Sequence, residues 1–264
     1  MGKPEKQLMY RTAIAKASAD DVLIRGYSLR CLIGNLSIAG MCYLLVKGVM
    51  PSESEGKMLD AILVAGAEHG VRPPSIQAAR QIASGGVQFQ ACVAGGILAL
   101  GDSHGGAIED AMGIFVEAMA KSKSDDDVDT VALQILTEAK ERKQRLPGYG
   151  HPVHGEDPRT TRLFDLAREY GIYGKCCRLA ESIAKQTQPV LGRNLPLNVD
   201  GGVAAILSEM GFDPRIGKGI FAASRVFGII AHVFEEKVRE KPMAHLPAYD
   251  LIEYDGKELI SVNK

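Results

Sequence analysis

The chain has 264 residues, 46% hydrophobic, 24% charged and 6% aromatic, with a formal charge of -1. That size and apolar content suit one large domain or two that share a core. The 31 Lys and Arg are spread among 32 Asp and Glu and no Trp is present, so there is no basic stripe with stacking aromatics, and nucleic acid is not an expected partner.

The first twenty residues are charged and lack the apolar core of a signal peptide. No later run reads as the ~20 apolar residues of a membrane span, so a cytoplasmic protein with no membrane partner is expected. Helical spacing follows almost throughout. Leu59, Ile62, Leu63 and Gly66 share one face, as do Leu163, Leu166, Ala167 and Tyr170, then Cys176, Leu179, Ala180 and Ile183, then Val203, Ile206, Leu207 and Met210. Ile220, Ser224, Phe227, Ala231 and Phe234 continue the pattern. Breaks fall at Pro51, Pro73-Pro74, Gly101, Pro147-Gly148, Pro196 and Pro214. The charge run from Ser122 to Asp129 reads as a solvated loop that starts a helix at Val128. A single hairpin is expected near the end, with Ile252 and Tyr254 before Asp255-Gly256 and Leu259 after it. The sum is an all-α protein of about ten helices. Cys31, Cys42, Cys92, Cys176 and Cys177 are odd in number, form no CxxC pair and lie mostly in apolar helical patterns, which fits buried reduced thiols.

Four acid/base groups stand at chain breaks, each near glycine: His69 in AEHG, His104 in GDSHGGA, His151 in GYGHPV and Asp200 in LNVDGG. Imidazoles and a carboxylate in such places suit proton transfer at a carbonyl compound, one group moving a proton while others stabilise charge on oxygen. Asp102 or Ser103 can cap a helix beginning near Ala107, which would set His104 at a helix N-terminus and favour a neutral imidazole that donates to an enolate oxygen. A plain surface histidine is the alternative there. In GYGHPVHGEDPRT, Asp157 reads as a helix cap, Pro158 as the first helical residue and Arg159 as a first-turn cation, together an anion site suited to a carboxylate. A metal held by His151, His154 and Glu156 or Asp157 is disfavoured, because Pro152 and Gly155 oppose the helix that would align the imidazoles. Asp200 could serve simply as a helix cap. Arg225, inside the apolar FAASRVFGIIAH, needs an anionic partner, either a protein carboxylate or a substrate. Glycines beside these motifs suit two helical lobes that close over a ligand.

In that order and spacing, IRGYSLRCLIGNLSIAGMCYLLVKGVMPS, AEHGVRPPSIQAARQIASGG, GDSHGGAIEDAM, GYGHPVHGEDPR, LNVDGG and FAASRVFGIIAHVFEE resemble the citrate synthase superfamily. The likeness is greater to its short members, the citryl-CoA lyases and the lyase module of ATP citrate lyase, because the long helical insertion between the GYS-like and AEHG-like segments is absent. The resemblance implies a two-domain helical fold: residues 1–105 as the first part of a large domain, 106–212 as a small CoA-binding domain, and 213–264 as the rest of the large domain and a tail. It implies His104, His151 and Asp200 as the catalytic trio, and His69, Arg159 and Arg225 as binders of the oxaloacetate part. Gly148, Gly150, Arg193 and Asn198 are the implied coenzyme A contacts. It further implies a homodimer, no metal, and a CoA thioester and a 2-oxo acid as substrate or product, with no permanently bound cofactor. Asp200 would move the methyl proton, His104 would hydrogen-bond the thioester oxygen and His151 would exchange a proton with the hydroxyl or ketone oxygen.

Two positions depart from the family pattern. Pro152 stands where an arginine usually follows the GxGH histidine, and the C-terminal arginine that reaches the partner's site falls within REKPMAHLPAYD, where Arg239, Lys241 or His245 could serve, His245 aligning best. The expected activity is cleavage of citryl-CoA, or a close 3-hydroxyacyl-CoA analogue, to acetyl-CoA and a 2-oxo acid. A condensing enzyme or thioester hydrolase on a related substrate is the alternative, and a non-catalytic CoA-binding or assembly subunit is the alternative of another class.

Overall fold

Helix boundaries fall where the chain offers a cap or a break. The computed structural model describes residues 10–121, 128–150 and 157–257. A short meander comes first, β1 (Ala15–Ala17), β2 (Val22–Ile24) and β3 (Tyr27–Ser28), paired antiparallel in that order. Then come α1 (Leu29–Leu32), α2 (Ile38–Lys47), α3 (Glu53–Ala67), α4 (Pro74–Ser84), α5 (Phe89–Leu98), α6 (Ala107–Lys121) and α7 (Val128–Glu141). After the GYG segment follow α8 (Pro158–Glu169), α9 (Lys175–Leu191), α10 (Val199–Glu209) and α11 (Gly217–Arg239). Ser52 and Glu55 close a reciprocal capping box on α3, Pro74 and Pro158 occupy the first turns of α4 and α8, and α9 stops at Gly192 in the left-handed region.

α10 is buried from Val199 to Leu207 on nearly every face and is wrapped by α6, α8 and α9, with α7 laid on α9. α3, α4 and α5 pack on α11. One continuous core joins the groups through Met58, Leu59 and Ile62 of α3, Ile108 and Met112 of α6, Val203 and Ile206 of α10, and Ile220 and Phe221 of α11. A smaller cluster, Ile76, Ala79, Cys92, Ile229 and Val233, fills the α4–α5–α11 corner. The N-terminus of α10 and the middle of α11 are thereby held close to each other.

Several expectations are corrected. The terminal hairpin does not form among the described residues: 252–257 is irregular, and Leu259 lies outside them. The sheet is at the other end, where Arg25 and Gly26, both with positive φ (51° and 91°), make the two-residue turn between β2 and β3. On α11 only Ile220 and Ser224 of the expected face are buried. Phe227 and Phe234 are exposed, and the inward stripe runs through Phe221, Arg225, Gly228, Ile229 and Val233. The segment Pro214–Arg239 does have the length and apolarity of a membrane span, contrary to the sequence reading. It nevertheless carries buried Arg225 and Glu236 and packs on α3, α4, α5 and α6, as a core helix does. Cys31 is exposed rather than buried, and all five thiols are free.

Candidate active site

The GDSHGG break is a tight turn. Gly101 and His104 exchange backbone hydrogen bonds of 2.9 and 2.8 Å. A Cβ on Gly105, which has φ +85°, would come within 2.5 Å of the Phe221 ring. Glycine therefore lets the turn press the His104 ring edge-on to Phe221, with centroids 5.9 Å apart. His104 Nε2 lies 2.8 Å from Oγ of Ser75, a fully buried residue in the first turn of α4. Burial, and then the positive charge of Arg225, lower the imidazole pKa and keep the ring neutral. The Asp102 carboxylate pairs with Lys218 of α11 at 2.8 Å.

Arg225 is 3% exposed. Its Nε donates to Gly66 O at 2.9 Å, its guanidinium faces the Phe221 ring at 5.1 Å, and its Nη1 has no hydrogen-bond partner among the described residues. No described carboxylate lies within ion-pair distance of it.

Asp200 is not the cap of α10. Asn198 is, accepting the N–H groups of Asp200 and Gly201 at 3.0 and 3.2 Å. Asp200 sits one position into the helix, its carboxylate without a hydrogen-bond partner among the described residues, beside an apolar crevice lined by Ile62, Ile108, Val203 and Phe221. Burial raises its pKa above the usual aspartate value, a shift that Arg159 and Arg225 moderate and Asp157 reinforces. These mutual influences bring His104, Arg159, Asp200 and Arg225 into one electrostatic neighbourhood.

Asp157 caps α8 as expected, but it also takes the fork of Arg159, at 3.0 Å to Nε and 2.8 Å to Nη2, and the N–H of Val199 at 3.0 Å. This buried carboxylate ties the starts of α8 and α10 together and holds Arg159 beside Asp200. Burial opposes its ionisation, yet the hydrogen bonds and charge of Arg159 win and its pKa falls. His69 stands just after α3, in a turn that Glu68 closes by accepting the backbone N–H of His69 at 2.9 Å. His151, Pro152 and His154 lie outside the described residues.

Gly148, Gly150 and Asn198 form one unit. Asn198 N–H donates to Gly148 O at 3.0 Å, Asn198 Nδ2 to Gly150 O at 2.9 Å, and Gly150 N–H to Pro196 O at 2.7 Å. A Cβ on Gly148 would stand 2.5 Å from Gly201 Cα, so the GYG segment can lie against α10 only as glycine. Arg193 is exposed beyond α9 with no partner among the described residues. The expectation for His245 concerns the partner's site; within its own chain its Nε2 is 2.8 Å from Glu236 Oε2 on the α4–α11 face. Arg239 pairs with Glu235.

The sequence pattern of the citrate synthase C-terminal domain matches residues 35–245. The chain belongs to the citrate synthase family. The fold of this family member superposes on the citryl-CoA lyase of Hydrogenobacter thermophilus with a TM-score of 0.90, at 43% identity over 97% of this chain and 98% of that one. The ATP citrate lyase of Methanothrix soehngenii, solved with citrate and coenzyme A, shares the fold at a TM-score of 0.80 and 23% identity, over 96% of this chain and 43% of that one. In sequence, the family member is 29% identical over 216 residues to the citrate/2-methylcitrate synthase of Bacillus subtilis, covering 78% of this chain and 54% of the relative. It thus spans about half the length of the curated relatives it matches. Within the site, the sequence reading missed Ser75 and Glu68. Both are polar residues whose importance rests on contacts across the fold, Ser75 with a histidine 29 positions away.

Proposed function

We propose that this protein is a lyase that splits citryl-CoA, or a close 3-hydroxyacyl-CoA analogue, into acetyl-CoA and oxaloacetate or a related 2-oxo acid. The observation that carries the reading is the near full-length likeness to a citryl-CoA lyase at 43% identity. The site chemistry supports it. Asp200, its pKa raised by burial, is a carboxyl group suited to holding the proton that the acetyl-CoA enolate carbon takes up after the carbon–carbon bond breaks. With Ser75 Oγ–H donating into Nε2, the proton of neutral His104 sits on Nδ1, from which it stabilises the thioester enolate oxygen. Arg225 Nη1 takes a substrate carboxylate, and Arg159, once shared with Asp157, takes another. His151 is assigned the proton of the substrate hydroxyl. The strand-like contact of Gly148 and Gly150 with Asn198 forms the cradle for coenzyme A, with Arg193 at its exposed end. The lobes 106–212 and 1–105 with 213–264 close on the thioester. Condensation is the same path reversed.

The working unit proposed is a homodimer. Phe227, Ile230, Phe234 and Val238 make an exposed apolar ridge along α11, the kind of surface a second copy covers. A screen of CoA thioesters with mass-spectrometric identification of both products tests the activity. Citryl-CoA yielding acetyl-CoA and a 2-oxo acid supports the lyase; citrate with free CoA would make it a hydrolase.

A further inference from the structure

Arg80, His232 and Glu68 form a hydrogen-bonded row from α4 across α11 to the turn that carries His69. Arg80 Nη1 is 3.3 Å from His232 Nδ1, and His232 Nε2 is 3.2 Å from Glu68 Oε1. Glu68 Oε1 then accepts the backbone N–H groups of His69 and Gly70 at 2.9 and 2.5 Å. A guanidinium carries donors only, so the ring nitrogen it faces must accept. Nδ1 of His232 is therefore the acceptor, and the N–H at Nε2 donates to Glu68. Carboxylates hold the arginine of this row in place. Glu235 lies 3.1 Å from Arg80 Nη1 and 3.7 Å from His232 Nδ1, Glu236 lies 2.8 Å from Arg80 Nη2, and Glu240 lies 4.0 Å from it. Three carboxylates thus fix the arginine in front of the imidazole.

The same face of α11 grips the turn at two further points. Arg225 Nε donates to Gly66 O. At Gly228 a Cβ would stand 2.3 Å from Ala67 O and 2.5 Å from Glu68 Oε2, so the missing side chain is the space in which Glu68 is seated. Arg225, Gly228 and His232 are spaced i, i+3, i+7.

We propose that the Arg80–His232–Glu68 row is a positioning device: it orders the His69 turn against α11 and so fixes the place of His69, a residue assigned to the oxaloacetate part of the substrate. None of the three touches the reacting atoms. The claim about substrate rests on the lyase reading; the claim about the turn does not.

His232→Asn and His232→Gln test it. A glutamine amide nitrogen falls near the Nε2 position and can still donate to Glu68, whereas an asparagine amide falls near Nδ1 and cannot reach. The Asn variant should raise KM for citryl-CoA by about tenfold with kcat changed less than about threefold, and Gln should restore KM. Amide hydrogen exchange followed by NMR gives a readout that needs no activity. Exchange at His69 and Gly70 should accelerate by about tenfold in the Asn variant and return toward wild type with Gln. Glu68→Ala, a truncation of a side chain 44% exposed, should give the same acceleration and serves if the Asn variant does not fold. A wild-type enzyme that fails to cleave citryl-CoA while this exchange pattern holds would remove the lyase reading and leave the ordering of the turn standing. Unchanged exchange at both amides in the Asn and Ala variants, or no difference between Asn and Gln, would overturn the proposal whatever the activity.

Discussion

Replacing Arg225 with Met should separate stability from activity. The wild-type guanidinium is buried with Nη1 unpaired, and an unsatisfied buried polar group costs about 1–3 kcal/mol. Met removes that cost and keeps an unbranched stem over Phe221, while it loses the Nε bond to Gly66 O, about 1–1.5 kcal/mol. The two terms nearly offset, so folding stability should change by less than about 2 kcal/mol, or about 4–8 °C in thermal midpoint for a chain of this size. Activity should respond quite differently. Leaving a substrate carboxylate unpaired in a desolvated site costs about 2–5 kcal/mol. At about 1.36 kcal/mol per tenfold, kcat/KM should fall by about 30-fold to several thousandfold. Calorimetric melting in the absence of ligand, and initial rates of citryl-CoA cleavage, read the two quantities separately. A midpoint lowered by more than about 10 °C with kcat/KM of the folded enzyme within about threefold of wild type would refute the argument, because Arg225 would then be a structural cation.

Other outcomes follow from the same geometry. Ser75→Ala should lower kcat by about 10- to 100-fold with little change in KM, since it frees the His104 tautomer without touching the binding cations; steady-state rates check the split. Asp200→Asn should abolish solvent exchange of the acetyl-CoA methyl protons, measured by NMR, while coenzyme A binding by calorimetry stays within about threefold. The same substitution should stabilise the fold. A carboxyl whose folded pKa is raised loses stability on ionising, so the gain in midpoint should appear as pH climbs above the unfolded aspartate value of about 3.9, be complete above the raised folded value, and vanish at lower pH. Phe234→Asp should yield a monomer in sedimentation, given the exposure of that ring on the α11 ridge.

Much of this architecture could be read from residue order, and the exceptions have physical causes. α8, with its apolar stripe and a cap at Asp157 before Pro158, and α7, whose periodic stripe starts at Val128 after a charge run, were legible because periodicity, capping and charge are local signals. α11 was misread along half its length because apolar residues lie on both sides, and its inward stripe includes Arg225 and Glu236. The β2–β3 turn was missed because Arg25-Gly26 departs from the usual Asn-Gly and Asp-Gly pairs, and the guanidinium of Arg25 is tied to Leu45 O, twenty residues on. The site motifs announced themselves through glycines at chain breaks. Ser75 did not, because a serine in the first turn of a helix has an ordinary local explanation, and only the folded chain brings its hydroxyl to His104. For Asp200 the rival explanation in the sequence was that it caps the helix; the structure gives the cap to Asn198 and leaves the Asp200 carboxylate without that duty.

The most direct measurement of the central claim is single-turnover reaction of the purified protein with citryl-CoA, without ATP, with both products identified by mass spectrometry and Asp200→Asn run alongside. The account predicts acetyl-CoA and oxaloacetate in equal amounts from the wild type and neither at an appreciable rate from the variant. Citrate with free CoA, or equal rates from the two proteins, would contradict it.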